Sequence, residues 1–293
     1  AGYIEFFENK SGPEIEFPKW AAPVRLQAGG KTFRIMAGPN GSIQGPAEAK
    51  WGYSTLSVAD WDGDKLPDIL VNGIWGQVLL LRNTGTASKP QLAAPQALQV
   101  AWSDAPTKPA WMWWNPKNNE LATQWRTTPI GIDWNRDGLT DLLSLDHEGY
   151  FCFYERERQD GKLVLLPPKR VFYGDNNSIT DPNHRVRNPA AGPLQLNYRT
   201  AGGSGRRKIW ATDWNGDGHV DLLVNSSNAN LLLQVKSTDN RWTFHDTGPL
   251  VKQSIQGHTT SPTVVDFNGD GIPDYLGGAE DGRLYYQRNP RSK

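Results

Sequence analysis

The chain has 293 residues, of which 37% are hydrophobic, and it carries 31 basic and 31 acidic side chains. A chain of this length can bury a large core, either as one all-β domain or as two ordinary domains. The formal net charge of zero excludes a bulk electrostatic attraction to nucleic acid or to an anionic membrane surface. We therefore predict no nucleic-acid partner.

The cysteine content and the hydropathy pattern further restrict the possible classes of protein. The single cysteine, Cys152, excludes an internal disulfide. No apolar run has the length needed to cross a bilayer, so we predict no membrane span. The residues from Ala1 onward lack the basic start and apolar core of a signal peptide, so a secreted protein would be represented here in mature or trimmed form. The 13 tryptophans favour carbohydrate contact, although propeller and sandwich cores also use this residue.

The predicted elements form a repeating unit. After a first strand at 3–8, a complete unit begins with strand A at 56–59 and continues through a polar loop at 60–68 and strand B at 69–72. A glycine-bearing turn, strand C at 77–82 and a looser strand D around 91–100 complete it. Four short antiparallel strands in about fifty residues are typical of a β-propeller blade.

Strand C occurs five times in the chain, but the polar loop occurs only four times. We therefore predict one all-β domain over 1–293, a β-propeller of four-stranded antiparallel blades with four full repeats and a partial one. Its predicted parts are a partial blade at 1–27, blades at 51–100, 127–173, 207–250 and 259–293, and insertions at 28–50, 101–124 and 174–205. The open edges at 3–8 and 283–288 are expected to pair with each other or with further blades, because unpaired edges promote aggregation.

The four polar loops share the chemistry of a cation site. Each nonapeptide places oxygen side chains at its first, third, fifth and ninth positions, and a backbone carbonyl at the seventh can join them. We predict Ca²⁺ rather than Mg²⁺, because a flexible loop offers many oxygens. The predicted ligands are Asp60, Asp62, Asp64, Leu66 and Asp68; Asp133, Asn135, Asp137, Leu139 and Asp141; Asp213, Asn215, Asp217, His219 and Asp221; and Asp266, Asn268, Asp270, Ile272 and Asp274. A solvated acidic turn is the alternative for any single copy, but four copies in matching strand contexts argue against it.

The sixth position of each loop should form a sharp turn that favours glycine. Gly138, Gly218 and Gly271 occupy this position in three loops, and Lys65 occupies it in the first. We therefore expect the first loop to be the most strained or the weakest cation binder.

The stretch at 213–224, Asp-Trp-Asn-Gly-Asp-Gly-His-Val-Asp-Leu-Leu-Val, and its three sisters resemble the FG-GAP, or VCBS, repeat. The resemblance implies a calcium-stabilised β-propeller, usually of seven or eight blades, in a family that includes the integrin α-subunit head, fungal lectins and secreted polysaccharide lyases. It is specific for fold but not for function. Because this chain has only four full motifs, we expect it to be part of a larger ring whose missing blades are partners, with a closed small ring as the alternative.

In such blades, strand A lines the central axis, and the ion loops lie on one face. Residues before strand A and in the turns between strands B and C should therefore converge at the opposite mouth. The candidates for acid–base catalysis are His258, His147 and Tyr53, and those for substrate binding are Arg126, Arg206, Trp75, Trp111, Trp113 and Trp114. Each has a structural alternative: the histidines and arginines could bond neighbouring backbone or carboxylates, and the tryptophans could pack under their own insertion.

This set favours an acidic, uronate-containing polysaccharide as the ligand. Arginine forks bind carboxylates bidentately, and a His or Tyr could abstract the C5 proton and protonate the leaving oxygen of a lyase reaction. We therefore predict that the protein acts on this polysaccharide, with a lyase as the leading hypothesis. A non-catalytic lectin-like propeller and a protein-interaction module are the alternatives. Because free calcium is abundant outside the cytosol, we also predict a secreted, cell-surface or periplasmic location.

Overall fold

The computed structural model of the protein describes residues 2–13, 17–42, 45–112, 114–175, 192–197, 207–238, 240–255 and 260–292. Strands and loops form nearly all of this part of the chain, and the helical content described is one 3₁₀ turn at Pro46–Glu48. The prediction of an all-β fold is therefore confirmed.

The described chain contains 22 strands. They are β1 (Glu5–Phe6), β2 (Val24–Arg25), β3 (Gln27–Ala28), β4 (Lys31–Thr32), β5 (Thr55–Ala59), β6 (Asp68–Asn72), β7 (Leu79–Leu81), β8 (Gln96–Ala97), β9 (Ile130–Ile132), β10 (Asp141–Leu145), β11 (Phe151–Tyr154), β12 (Arg156–Gln159), β13 (Lys162–Leu165), β14 (Phe172–Gly174), β15 (Gly192–Pro193), β16 (Ile209–Thr212), β17 (Asp221–Asn225), β18 (Ala229–Thr238), β19 (Arg241–Pro249), β20 (Ser261–Val265), β21 (Asp274–Gly278) and β22 (Leu284–Gln287).

Four sheets repeat the same antiparallel start, in which eight residues join the first two strands and the ninth loop position is the first residue of the second strand. Their strand orders are β5-β6-β7-β8, β9-β10-β11, β16-β17-β18-β19 and β20-β21-β22, and the third sheet is extended by β14 and β15. The first strands of the four sheets contact one another in chain order, β5 with β9, β9 with β16 and β16 with β20. Strand A of each repeat therefore lies next to strand A of the following repeat.

The hydrophobic cores lie between successive sheets. One core joins the N-terminal segment to the first sheet through Phe33 and Val71, and the next joins the first sheet to the second through Leu70 and Leu142. Corresponding cores follow between the second and third sheets and between the third and fourth. The second strands are buried on both faces because each sheet is covered on both sides, the packing expected of a β-propeller-like fold.

The two ends of the described chain meet without sharing a strand pair. β1 pairs with β2, and β22 pairs with β21, so in the described residues the two edges do not pair with each other. Their pairing with further blades, the other predicted alternative, stays a prediction. The N-terminal segment instead reaches the last sheet through Trp20, whose ring stacks on Phe267 at 6.2 Å.

Candidate cation loops and axial cleft

The first Asp of each loop organises the turn through backbone hydrogen bonds. In the fourth loop, Asp266 Oδ1 accepts from the Gly269 N–H at 2.8 Å, and Oδ2 accepts from the Gly271 N–H at 2.9 Å. In the first loop, Asp60 accepts from Gly63 and Lys65 at 2.8 and 2.9 Å. An acceptor at the start of a tight turn competes with regular secondary structure and fixes the loop.

The ninth Asp of each loop is completely buried, and it joins the loop to the end of the third strand. Asp141 Oδ2 accepts from the Trp134 N–H at 3.0 Å, and Oδ1 accepts from the Arg156 N–H at 2.8 Å. Asp68 and Asp221 make the same two bonds in their own repeats. Because this carboxylate satisfies two backbone donors, it supports the fold in addition to any role as a ligand.

Burial also makes the ninth Asp easier to protonate. Desolvation raises the pKa of Asp141 to about 6, although backbone hydrogen bonds from Arg156, Trp134 and Asn135 oppose the shift. The pKa values of Asp68 and Asp221 are raised for the same reason. A cation beside these carboxylates would offset the desolvation, so a proton and a cation compete for the same group.

The donor set of the first loop fits a divalent cation. Asp60, Asp62 and Asp68 each offer a carboxylate oxygen, and the three oxygens lie within 4.8 Å of one another. One oxygen of Asp62 is buried and has no hydrogen-bond partner among the described residues. Buried anionic oxygens are normally paired or coordinate a metal, so this arrangement favours a bound cation.

The other three loops replace the third-position Asp by Asn. The amides of Asn135, Asn215 and Asn268 donate to the fifth-position Asp at 2.9, 2.8 and 3.1 Å. The Asn side-chain oxygens accept the N–H of that same Asp. An Asn oxygen is also a hard ligand, so these loops offer the oxygen chemistry that calcium prefers with one negative charge fewer.

The sixth position of all four loops has the left-handed backbone conformation. Gly138, Gly218 and Gly271 have φ values of 87°, 86° and 80°, and Lys65 has a φ of 69°. A side chain in this region is strained by about 1–2 kcal/mol. The first loop therefore carries the strain expected from its lysine, although it also assembles three carboxylates.

Replacing Lys65 by Gly should relieve that strain. We expect Lys65→Gly to raise the free energy of unfolding by about 0.5–1 kcal/mol, because part of the gain is offset by the greater chain entropy of glycine when unfolded. Denaturant unfolding would measure the change. Lys65→Ala is the control, since alanine keeps the strain and should change stability little. Equal stability of the two variants would contradict this account.

Side chains link the four loops across neighbouring sheets. Thr140 Oγ1 donates to the Asp60 carbonyl at 2.7 Å, and Arg136 Nη2 donates to the Gly218 carbonyl at 3.0 Å. Asn289 Nδ2 donates to the Trp214 carbonyl at 3.1 Å. The loops therefore lie side by side on one face, at the end of each strand A.

An open cavity of about 1080 Å³, the axial cleft, reaches the opposite ends of these strands. Residues just before or at the start of strand A contribute from all four repeats. They are Trp51, Tyr53 and Ser54, then Arg126, Lys208 and Ser261. Phe7, Trp20, Leu284 and the turn residues Gly278, Ala279, Glu280, Gly282 and Arg283 complete the wall. The structure thus brings Tyr53 and Arg126 into one cavity.

Arg126 is fully buried in the cleft wall. Its guanidinium carbon lies 3.2 Å from the centroid of the Tyr53 ring and 3.8 Å from that of Trp125. Glu48 Oε2 lies 3.7 Å from Arg126 Nη2, and Glu48 Oε1 accepts a hydrogen bond from the Tyr53 hydroxyl at 2.5 Å. The Arg126 charge is thus balanced by two ring faces and a carboxylate. A bidentate contact with a ligand would require the Tyr53 ring to move.

The backbone at this cluster is strained. Tyr53 and Arg126 have φ values of 50° and 58°, in the left-handed region that side chains seldom occupy. Such conformations persist only where the surrounding structure enforces them, and they are concentrated at functional sites. This strain is a reason to treat the Tyr53–Arg126–Glu48 cluster as functional rather than as ordinary packing.

Four other candidates, Trp75, Trp111, Trp114 and His147, are not among the residues that line the axial cleft. Trp111 donates to Gln124 Oε1 at 3.2 Å, and Gln124 Nε2 donates to the His147 carbonyl at 2.7 Å. Trp114 donates to the Trp75 carbonyl at 2.9 Å. Trp75 donates in turn to the Met36 carbonyl at 2.8 Å, so these indole N–H groups bond the protein itself. Arg206, Trp113 and His258 lie outside the described residues.

Sequence reasoning missed the carboxylate that completes the cleft. Glu48 lies in the predicted insertion at 28–50, where no periodic pattern fixes its position. Its signal would have been an acidic residue in a glycine- and proline-punctuated loop, close in sequence to Trp51 and Tyr53. The aromatic contribution of Phe7 and Trp20 was missed for a similar reason, because it depends on how the N-terminal segment meets the last sheet.

Comparison with known proteins supports the assignment of the repeat in part of the chain. No helix in the described ranges has the length and hydropathy of a transmembrane segment. Curated proteins give no match to the chain. A family model for the FG-GAP-like repeat matches residues 213–277, which hold the third and fourth loops with the strands between them. The recognition of the repeat is confirmed there, and residues 213–277 are identified as an FG-GAP-like repeat.

Proposed function

We propose that the chain is a calcium-binding β-propeller module whose axial cleft binds a glycan. The observation that carries the proposal is the convergence of all four repeats on one cavity with exposed aromatic rings. Phe7, Trp20 and Trp51 are 50%, 42% and 46% exposed there. Flat aromatic rings combine apolar contact area with few rotatable bonds, which suits the apolar face of a sugar.

Calcium would be held by the four loops described above. Its proposed ligands are the first, third, fifth and ninth side chains with the seventh-position carbonyls of Leu66, Leu139, His219 and Ile272. The cation would supply charge neutralisation on the loop face, away from the axial cleft. A calcium requirement in turn favours an extracellular or periplasmic location. The larger propeller ring, of which these four repeats would form one part, belongs to the same proposal.

The charges around the axial cleft favour an acidic glycan. Lys208 lies at the cleft and donates to the Arg126 carbonyl at 3.1 Å. Arg283 is 77% exposed at the rim, where its Nε lies 4.0 Å from the Asp281 carboxylate, and Glu280 is the acidic residue in the described lining. These two cations can approach a uronate carboxylate without the rearrangement that Arg126 would need. Charge-assisted hydrogen bonds of this kind are stronger than neutral ones.

A lyase is the second candidate, favoured by the bond between Tyr53 and Glu48. Tyr53 can pass its hydroxyl proton to Glu48 and then take the C5 proton of a uronate. The C5–H electron pair becomes the C4–C5 double bond as the C4–O4 bond breaks. The proton that Glu48 received goes to the leaving oxygen, which returns Glu48 to its carboxylate and leaves Tyr53 as a neutral phenol. The reaction needs no oxidant and leaves an unsaturated uronate as its product.

Glycan binding by the axial cleft can be tested with Trp51. We expect a panel of oligosaccharides, measured by calorimetry, to include an acidic one that binds, and Trp51→Ala to weaken it by about threefold to tenfold. Val235→Ala, at an exposed apolar site on β18, is the control and should leave the affinity unchanged. No binding across a panel of neutral and acidic oligosaccharides would contradict the proposal.

Catalysis is distinguished from binding by Tyr53→Phe. We expect this variant to retain glycan affinity and, if the lyase reaction occurs, to lower formation of unsaturated uronate by about 100-fold or more. Ultraviolet absorbance of the product measures the rate. A wild-type protein that binds an acidic glycan but gives no absorbance change would limit the function to binding.

Calcium stabilisation should depend on pH. Burial raises the folded-state pKa of Asp141 to about 6, above the ordinary aspartate value of 3.8. The calcium-free folded state therefore binds the proton more tightly, and its stability falls as pH rises through this window. Calcium requires the ionised carboxylate, so the difference in Tm with and without calcium should grow between about pH 4 and about pH 7. A difference that stays constant across this range would contradict the expectation.

A further inference from the structure

The outer face of the six-stranded sheet carries polar side chains that the axial cleft does not use. β14 pairs in parallel with β19, and β19 pairs with β18. Phe172, Trp242 and Phe244 belong to the core between the second and third sheets. Because side chains alternate along a strand, their neighbours Tyr173 and Thr243 lie on the opposite, outer face.

Cross-strand register places cationic and hydroxyl groups together there. Tyr173 is paired with Thr243, and Thr243 is paired with Lys236, so the three residues form a row across three strands. Thr238 is paired with Arg241 in the next row on the same face. Paired residues on one face lie about 5 Å apart, so these groups are close enough to share one ligand.

These residues line a cavity of about 450 Å³, which we call the sheet-face cleft. Its lining consists of Tyr173, Gly174, Asp175, Lys236, Thr238, Arg241 and Thr243. The Arg241 guanidinium carbon lies 4.8 Å from the Tyr173 ring centroid, an arrangement that orients the guanidinium beside the phenol. The cleft therefore combines two cations with three hydroxyl groups.

The one carboxylate in this lining is paired with an imidazole. Asp175 Oδ2 lies 2.6 Å from His245 Nδ1, and His245 is on the same strand as Thr243, two residues further along. With a neutral imidazole, Lys236, Arg241 and Asp175 give a net charge of +1, and an imidazolium raises it to +2. The local charge is therefore positive in either state, although the whole chain is neutral.

We infer that the sheet-face cleft binds an oxyanion, namely a phosphate, sulfate or carboxylate group. Arg241 offers a planar fork for two oxygens, Lys236 offers a compact charge, and the hydroxyls of Tyr173, Thr238 and Thr243 offer further donors. Exposed lysines on a sheet are commonplace, but here both cations line one concavity with hydroxyl donors, and the adjacent acid has its own partner. This inference does not depend on calcium or on the axial cleft.

Removing both cations tests the inference directly. The full chain would be titrated at constant ionic strength with inorganic phosphate, with sulfate and with glucuronate, using chloride as the reference anion. We expect saturable binding of at least one oxyanion, and a loss of affinity of about tenfold or more in the Lys236→Gln/Arg241→Gln variant. Both side chains are exposed, so the variant should fold.

The matched control removes the same charge from another exposed surface. Arg158→Gln/Lys162→Gln lies on the hairpin of β12 and β13 and should leave anion affinity unchanged. Preference for phosphate and sulfate would identify a tetrahedral oxyanion, and preference for glucuronate would identify a carboxylate. Absence of saturable binding by all three anions, or equal losses in the two double variants, would overturn the inference. Trp51→Ala should leave this site unaffected, which separates it from the glycan proposal.

Discussion

Asp141→Ala is expected to lower the free energy of unfolding by about 3 kcal/mol or more, even without calcium. The Asp141 carboxylate is fully buried and accepts the N–H groups of Trp134 and Arg156. Alanine leaves both donors buried without a partner, and each unsatisfied donor costs about 1–3 kcal/mol. Denaturant unfolding of the chelator-treated protein measures this effect separately from cation binding.

Asp137→Ala is the matched control in the same loop. Asp137 is exposed, and its carboxylate accepts the Leu139 N–H at 2.8 Å. Water can replace this bond, so the calcium-free variant should lose about 1 kcal/mol or less. Similar losses for Asp137→Ala and Asp141→Ala in chelator would show that the ninth position has no special structural role.

Removing calcium is expected to have the largest effect on the unaltered protein. A ligand that binds only the folded state stabilises it by about 2.7 kcal/mol when its concentration is 100 times Kd. Several occupied loops add their contributions, so excess chelator should lower Tm markedly. Thermal unfolding with calcium, with chelator, and with chelator followed by excess calcium measures this effect.

Magnesium is the matched control for the calcium effect. It requires near-ideal octahedral geometry and gives up its water reluctantly, so the same concentration should restore less of the Tm. Equal rescue by magnesium would contradict the assignment of calcium, and an unchanged Tm in chelator would contradict the cation sites themselves.

The loops and their flanking strands were predictable because their signals are local. The spacing at 266–274 defines a turn and its acceptors within nine residues, and the left-handed position of Lys65 followed from its alignment with Gly138. The structural role of Asp141 was not predictable in the same way. Its second donor, Arg156, is the first residue of β12, so the bond depends on how the chain is placed after β11.

In the two clefts, too, some residues were predictable from local sequence patterns, and others are placed by long-range contacts. Tyr53 and Arg126 were expected to meet because each precedes a strand A, and adjacent first strands impose this on any such repeat. Glu48 and Trp20 come from segments without a periodic pattern. The sheet-face cleft depends on the parallel pairing of β14 with β19, a long-range contact that lies outside the repeat and that no local spacing indicated.

A calorimetric titration of the chelator-treated chain with calcium tests the proposed calcium sites most directly. We expect saturable binding at four sites per chain, with affinity that weakens below about pH 6, as competition at Asp141 requires. Asp270→Asn should lower the affinity of one site by removing a ligand charge. Absence of calcium binding by the folded protein near neutral pH would contradict the proposal that the four loops are calcium sites.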